Sequence, residues 1–284
     1  MPQHFVAPPQ WEWYIVWYFY LGGLAGGAYL LGTLLRLLGD QRDSTIARVA
    51  FLITFPVLAI CPILLTLDLG RPLRFWHMLI NSRTFEPNFK YWSPMSVGVW
   101  VLLIFSAFAF ISFLEALLSP QRLRFMGGAG GRVFMIVGSV FGVVLAGYTG
   151  VLLSVSNQPI WSDTWALGGL FLASALSVAA AALGLLARMS PPEASTVAKL
   201  SRADRFFILL ELVLLIAFFV SLGAVGARYL EPRWLVLWVV VLLGTLVPLV
   251  LGRAHRGGSA VLASWLVLIG GLALRIVVIF SAQM

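Results

Sequence analysis

The sequence predicts an all-α polytopic membrane protein, a bundle of eight transmembrane helices with both termini extracytoplasmic. Three observations predict it. The 284 residues are 61% hydrophobic and only 11% charged, against about half and a quarter in soluble domains. The apolar runs are long and unbroken, each sufficient to cross a bilayer, where barrel strands would show short alternating segments. The cations gather in the short connections between runs, where they fix topology.

Eight spans follow from the runs, at roughly 13–38, 47–67, 92–118, 131–155, 163–188, 203–228, 233–251 and 259–280. Hydrocarbon offers backbone groups no water, so each run must bond internally as a helix. Two connections are long. One is 68–91, DLGRPLRFWHMLINSRTFEPNFKY, and the other is the Pro/Ser-containing stretch 189–202. The protein reads as a single integral membrane domain over 1–284, with a first four-helix bundle at 1–155 and a second at 156–284. The polar, Pro-rich start MPQHFVAPPQWEW lacks a basic n-region, so the first span is expected to remain in the mature protein.

Orientation comes from the cations. The loops after spans one, three, five and seven carry Arg36, Arg42, Arg48, Arg122, Arg124, Arg132, Arg188, Lys199, Arg202, Arg205, Arg253 and Arg256. The opposite side has Arg71, Arg74, Arg83, Lys90, Arg228 and Arg233, half as many. The richer side is cytoplasmic, which puts both termini and the 68–91 loop outside. Four of the outer cations fall in that loop, so it is expected to dock a partner. The net charge of +8 does not point to nucleic acid, because no basic stripe with interleaved aromatics lies on a soluble element.

The small residues Gly22, Gly23, Gly26 and Gly27, and the Gly138/Gly142 pair, predict close helix packing. Cys61 is the single cysteine, which excludes an intrachain disulfide and any CxxC or CxxCH motif. His4, His77 and His255 all fall in the tail or loops. No histidine is therefore available at membrane depth as an axial ligand, and neither haem nor a metal site is expected in this protein.

Ionisable residues in spans are costly and mark candidate sites. Asp68 and Arg71 close the second span in LDLGRP, either as a helix end with its own ion pair or as a pair lining a polar pocket. Glu211 sits in ILLELVLLIAFF, protonated or bonded to a neighbouring helix. Arg275 sits in LALRIVVIF, where it could snorkel outward. Glu115 is expected to reach the interface and has no role. Tyr148 lies short of the interface near Asn157–Trp161, so its hydroxyl needs a partner in the bundle. Trp11, Trp13, Trp17, Tyr18 and Tyr20 read as aromatic-belt residues, with Tyr18 a turn deeper.

WYFYLGGLAGGAYLL in the first span, LDLGRPLRFWHML after the second, GYTGVLLSVSNQPIW ending the fourth and LRIVVIF in the last together resemble the membrane subunits of the polysulfide reductase and NrfD-type quinol oxidoreductase family. The likeness runs through nearly the whole sequence, in order, and LDLGRP followed by RFW is its most specific part. The resemblance implies a haem-free subunit of bacterial or archaeal inner membranes, binding menaquinone or ubiquinone near the outer face. It also implies electron exchange with an extracytoplasmic ferredoxin-like iron–sulfur subunit, which often serves a molybdopterin catalytic subunit. By position, Tyr148 falls on the family's quinone-facing tyrosine. Tyr18 falls where the polysulfide reductase subunit has a histidine, and Ile15 where it has an asparagine.

The resulting expectation is a quinone-reactive or non-catalytic membrane-anchor subunit of a respiratory oxidoreductase, with its quinone site in the first bundle. Tyr148 and Tyr18 hydrogen-bond the quinone oxygens, Asp68 and His77 exchange protons with the outer phase, and Arg71 holds the Asp68 charge. Quinone chemistry moves two electrons and two protons, so it needs hydrogen-bond donors beside titratable groups. The alternatives are an ion or small-solute transporter using Glu211 and Arg275, which would require inverted repeats, and a structural anchor without quinone. The charge count is tested by single cysteines at Ser82 and Ser195: Ser82 should label from outside intact cells and Ser195 only after permeabilisation.

Overall fold

The computed structural model describes residues 10–118, 128–189, 194–251 and 258–283. Eight long helices account for most of these: α1 Trp13–Leu38, α2 Ser44–Asp68, α3 Pro94–Leu118, α4 Ala129–Ser154, α5 Leu167–Met189, α6 Ala194–Leu222, α7 Pro232–Leu251 and α8 Gly258–Ser281. All eight are long and apolar enough to cross a membrane. The shortest, α7, has 20 residues, about 30 Å at 1.5 Å per residue. His4, His255, Arg122, Arg124, Arg253 and Arg256 lie outside the described residues.

The main departure from the sequence boundaries is α6. It begins at Ala194 rather than near 203, so much of the stretch read as a dividing loop is helix. The polar residues that disguised it have partners. Thr196 Oγ1 donates to Asp43 Oδ1 at 2.6 Å, and Lys199 Nζ reaches Asp43 Oδ2 at 2.6 Å and Asp40 Oδ2 at 2.7 Å. Glu115 is likewise not an interfacial side chain: it is buried and receives the Arg36 guanidinium through two hydrogen bonds, 3.0 and 3.2 Å. Arg48 Nε donates to the Ala116 carbonyl at 2.6 Å. These contacts gather on one face of the bundle, called the Lys199 face below.

The other end is tied by aromatics. Trp11 stacks on Trp161 with ring centroids 5.0 Å apart, and Trp13 packs edge-on against Phe280 at 4.9 Å. Trp161 is fully buried, and its Nε1 donates to the Val278 carbonyl at 2.8 Å. The start of α1, the loop after α4 and the end of α8 therefore share this Trp11 face.

α1 runs through the centre, packed against α2, α4, α5 and α8. Its glycines make that possible. A Cβ on Gly26 would run into the Gly142 carbonyl of α4, and a Cβ on Gly27 into Ala175 and Ala179 of α5. Gly26→Val should therefore force α1 and α4 apart. Overpacking costs on the order of 1–3 kcal/mol, so the detergent-solubilised protein should lose stability in a thermal melt. Gly130→Ala, whose Cβ would meet nothing within 4 Å, should leave the melt unchanged.

Candidate functional site

The two tyrosines singled out by the sequence lie near the Trp11 face, from different helices. Tyr18 is five residues from the start of α1 and Tyr148 six from the end of α4, a depth of about 8–9 Å along each helix. Tyr18 faces Tyr148 and Cys61 within electrostatic range. Tyr18 is 3% exposed, so it does not sit in the belt, and its hydroxyl has no hydrogen-bond partner among the described residues. Gly22 backs the Tyr18 ring: a Cβ there would lie 3.8 Å from Tyr18 Cε2 and 3.9 Å from Cys61 Sγ.

Tyr148 does have a protein partner. Its hydroxyl donates to the Pro94 carbonyl at 2.5 Å, at the first residue of α3. Its ring lies flat against Gly98 one turn on, where any Cβ would collide with the ring and hydroxyl. Gly98 is the glycine this site requires, and its lack of a side chain is what lets the phenol reach Pro94. With its proton on Pro94, the phenol still offers acceptor lone pairs.

The loop beside this pair is ordered. A 3-10 helix, Pro72–Met78, follows α2, and a bridge joins Ile80 to Pro87. Asn88 fastens the loop: its amide donates to Leu79 O at 2.7 Å, its side chain to His77 O at 3.1 Å, and its carbonyl accepts from Ser96 Oγ of α3 at 3.2 Å. Leu73, Phe85, Tyr91 and Trp92 are each at least two-thirds exposed, an apolar surface accompanied by Arg74, Arg83 and Lys90.

Asp68, Arg71 and His77 are brought to this end, but not into the expected arrangement. Among the described residues no ion pair joins the Asp68 carboxylate to Arg71, which is exposed. The backbone turns at Leu69–Gly70 before Pro72 starts the next helix, which separates the two charges. His77 stacks on Trp76 at 3.9 Å, and its Nδ1 lies 3.1 Å from the Arg74 carbonyl. A carbonyl only accepts, so Nδ1 carries the proton there and Nε2 is left as the basic nitrogen.

A second polar constellation lies deep in α5, α6 and α8. Arg275 does not snorkel. It is completely buried, with Nη1 donating to Gly271 O at 2.7 Å and Ser174 Oγ at 3.2 Å, and Nη2 to Phe171 O at 3.4 Å. It lies over the rings of Tyr20 and Phe171, 5.6 and 5.3 Å from their centroids. Tyr20 is also not a belt residue: it is 8% exposed and donates to Leu268 O at 3.1 Å. Glu211 is buried and bonded to a neighbouring helix, accepting from Ser177 at 3.0 Å. Sequence reading missed Ser174, Ser177 and Asp204. The available signal was spacing, since 174 and 177, or 204 and 211, fall on one helix face.

Eight apolar helices around two buried polar clusters define an integral, multi-pass membrane protein. The chain belongs to the family described as polysulphide reductase, NrfD, whose model matches residues 2–284. It is 28% identical to a polysulfide reductase polypeptide of Wolinella succinogenes, over 96% of this sequence and 94% of that one. It is 28% identical to protein NrfD of Escherichia coli, over 96% of this sequence and 95% of that one. A shorter match, 30% identical, joins 36% of this sequence to 23% of a selenate reductase subunit of Mesobacillus selenatarsenatis. The protein is thus a membrane-anchor subunit of a respiratory oxidoreductase.

Proposed function

We propose that this subunit binds menaquinone or ubiquinone between Tyr18 and Tyr148 at the Trp11 face, and exchanges electrons with an iron–sulfur protein docked on the 69–93 loop. On this reading the Trp11 face is the extracytoplasmic side of a bacterial or archaeal inner membrane, and a molybdopterin subunit lies beyond the iron–sulfur protein. The first bundle, 1–155, holds the site. The observation that carries the reading is the Tyr18 hydroxyl, which has no protein hydrogen-bond partner although its side chain is almost wholly enclosed, and which faces a second phenol. Such a hydroxyl is free to bond a ligand, and a quinone oxygen would accept from it.

The two phenols have different roles. Tyr18 has a free proton to donate to a quinone carbonyl. Tyr148, donating to Pro94, presents lone pairs that accept from a quinol hydroxyl. The pair therefore suits a headgroup that alternates between C=O and C–OH. His77, with Nε2 basic, and Asp68 at the end of α2 would pass protons to the adjacent aqueous phase. Arg71, exposed on the same loop, adds to the positive charge offered to the docked partner. A bound quinone supplies the two-electron, two-proton chemistry, and the protein orients it and handles the protons.

Tyr148→Phe keeps the ring against Gly98 and removes the bond to Pro94 together with the one hydrogen bond to the headgroup. At about 0.5–1.5 kcal/mol per bond, quinone-linked kcat/KM should fall roughly two- to tenfold. Reduction of the catalytic partner by an artificial dye should stay normal. Wild-type quinone kinetics in the Tyr148→Phe, Tyr18→Phe double variant would eliminate this pocket. For docking, charge reversal of Arg74, Arg83 and Lys90 together should weaken co-purification of the partner, more so at low ionic strength, where screening is least. Co-purification unchanged across a salt series would place docking elsewhere.

A further inference from the structure

The first turns of α6 serve neither polar cluster, and their two sides are committed differently. One side faces inward: Thr196 and Lys199 hold Asp43, and Leu200 is buried. On the other side Ala198, Ser201, Arg202 and Arg205 line a shallow hollow of roughly 180 Å³, several times the about 30 Å³ of one water. Their spacing places all four on one helix face. Arg202 is exposed and Arg205 half-buried, and both border the same space, which no acid lines among the described residues.

Two features point to the ligand this hollow would take. The first is depth. From Phe206 to Leu222 α6 rises about 25 Å, most of the roughly 30 Å of hydrocarbon. The only charge in that stretch is the buried Glu211, and Arg228 follows in the 3-10 helix Gly223–Leu230. Arg202 and Arg205 close the near end of the apolar stretch, so they stand at the level of the lipid phosphates. The second feature is what continues from them. Phe206, Leu209, Val213, Ile216 and Val220 are each about half exposed or more and recur every three or four residues. They form an apolar stripe running from the arginines toward the bilayer centre, while α6 packs chiefly on α5. A soluble anion would use the hollow without the stripe, and a bare acyl chain the stripe without the arginines. A phospholipid uses both.

We propose that α6 carries a site for one anionic phospholipid in the leaflet at the Lys199 face. Its phosphate lies between Arg202 and Arg205, whose planar forks match phosphate oxygens, and the Ser201 hydroxyl is a third donor. Ala198 lines the hollow with a single methyl group, which leaves room for the headgroup. The acyl chains lie along Phe206, Leu209, Val213 and Ile216. A zwitterionic lipid would bring its own cation beside the two guanidiniums, so a lipid of net negative charge is selected. Thr196 and Lys199 already fix these turns from the inner side, so the lipid meets an ordered surface. The site lies at the opposite end of the bundle from Tyr18 and Tyr148 and does not rest on the quinone reading.

The test uses the full-length subunit in detergent, titrated with phosphatidylglycerol, phosphatidylcholine or sodium phosphate, and read by native mass spectrometry and thermal melting. Wild type should retain one phosphatidylglycerol through collisional activation that strips phosphatidylcholine, and phosphatidylglycerol alone should raise the melting midpoint. Arg202→Gln and Arg205→Gln together should weaken phosphatidylglycerol binding roughly tenfold or more and remove the shift. Arg132→Gln, at an exposed cation near the start of α4, should change neither. Ala198→Leu keeps both cations, suits a helix and fills the hollow, so it should lose the retained lipid as well. Equal retention of phosphatidylcholine, an equal shift with sodium phosphate, or wild-type binding by Ala198→Leu or by the double arginine variant overturns the site.

Discussion

The backbone contact between Gly26 of α1 and Gly142 of α4 sets the geometry on which both polar clusters depend. Apolar side chains gain little by leaving lipid for another helix, so membrane helices associate through close packing and internal hydrogen bonds. α1 uses small residues on two sides: Gly22 and Gly26 toward α2 and α4, Gly23 and Gly27 toward α5. It can therefore touch both halves of the protein at once, with Tyr18 carried to one side and Tyr20 to the other. Larger residues there would separate Tyr18 from Cys61 and Arg275 from Tyr20.

Polar groups are then placed by what they can bond. A bare guanidinium in hydrocarbon is costly. Arg275 offsets that cost with two backbone carbonyls, one serine and two aromatic faces, each contributing more in a low dielectric than in water. Glu211 takes the Ser177 hydroxyl, and Arg275 takes Ser174 one turn away on the same helix. Near the Trp11 face, Tyr148 is fixed by Pro94, whereas Tyr18 is left with an open hydroxyl. The family assignment makes this protein the membrane part of a respiratory assembly. The open phenol beside an ordered, apolar and basic loop is consistent with a small redox carrier bound within and a larger partner above.

Much of the fold is legible in composition and periodicity, because hydrocarbon leaves the backbone one solution at each apolar run. All eight helices overlap the runs that predict them, and the glycines that predict close packing make it. The error at α6 has a physical source. ASTVAKLSR is polar enough to read as loop, yet Thr196 and Lys199 find Asp43 and Asp40 across the bundle, and helix forms where distant carboxylates satisfy it. Glu115 was misplaced for the same reason, since a charge near a helix end looks free to reach water until Arg36 closes on it.

The candidate sites divide along the same line. Tyr148, Tyr18, Asp68, Arg71, His77, Glu211 and Arg275 could be picked out from sequence, because ionisable and phenolic groups inside apolar runs are rare and expensive. Their partners could not. Pro94 lies 54 residues from Tyr148 and Ser174 lies 101 from Arg275, and no local pattern encodes which helices become neighbours. Sequence alone determined that eight helices cross a membrane and which residues carry chemistry there. Tertiary packing decided that Asp68 and Arg71 do not pair, that Tyr148 leans on Pro94 while Tyr18 stays open, and that Glu211 and Arg275 each bond a different serine of α5. Burial within a helix is a local property of the sequence, whereas a hydrogen-bond partner on another helix exists only after the helices have packed.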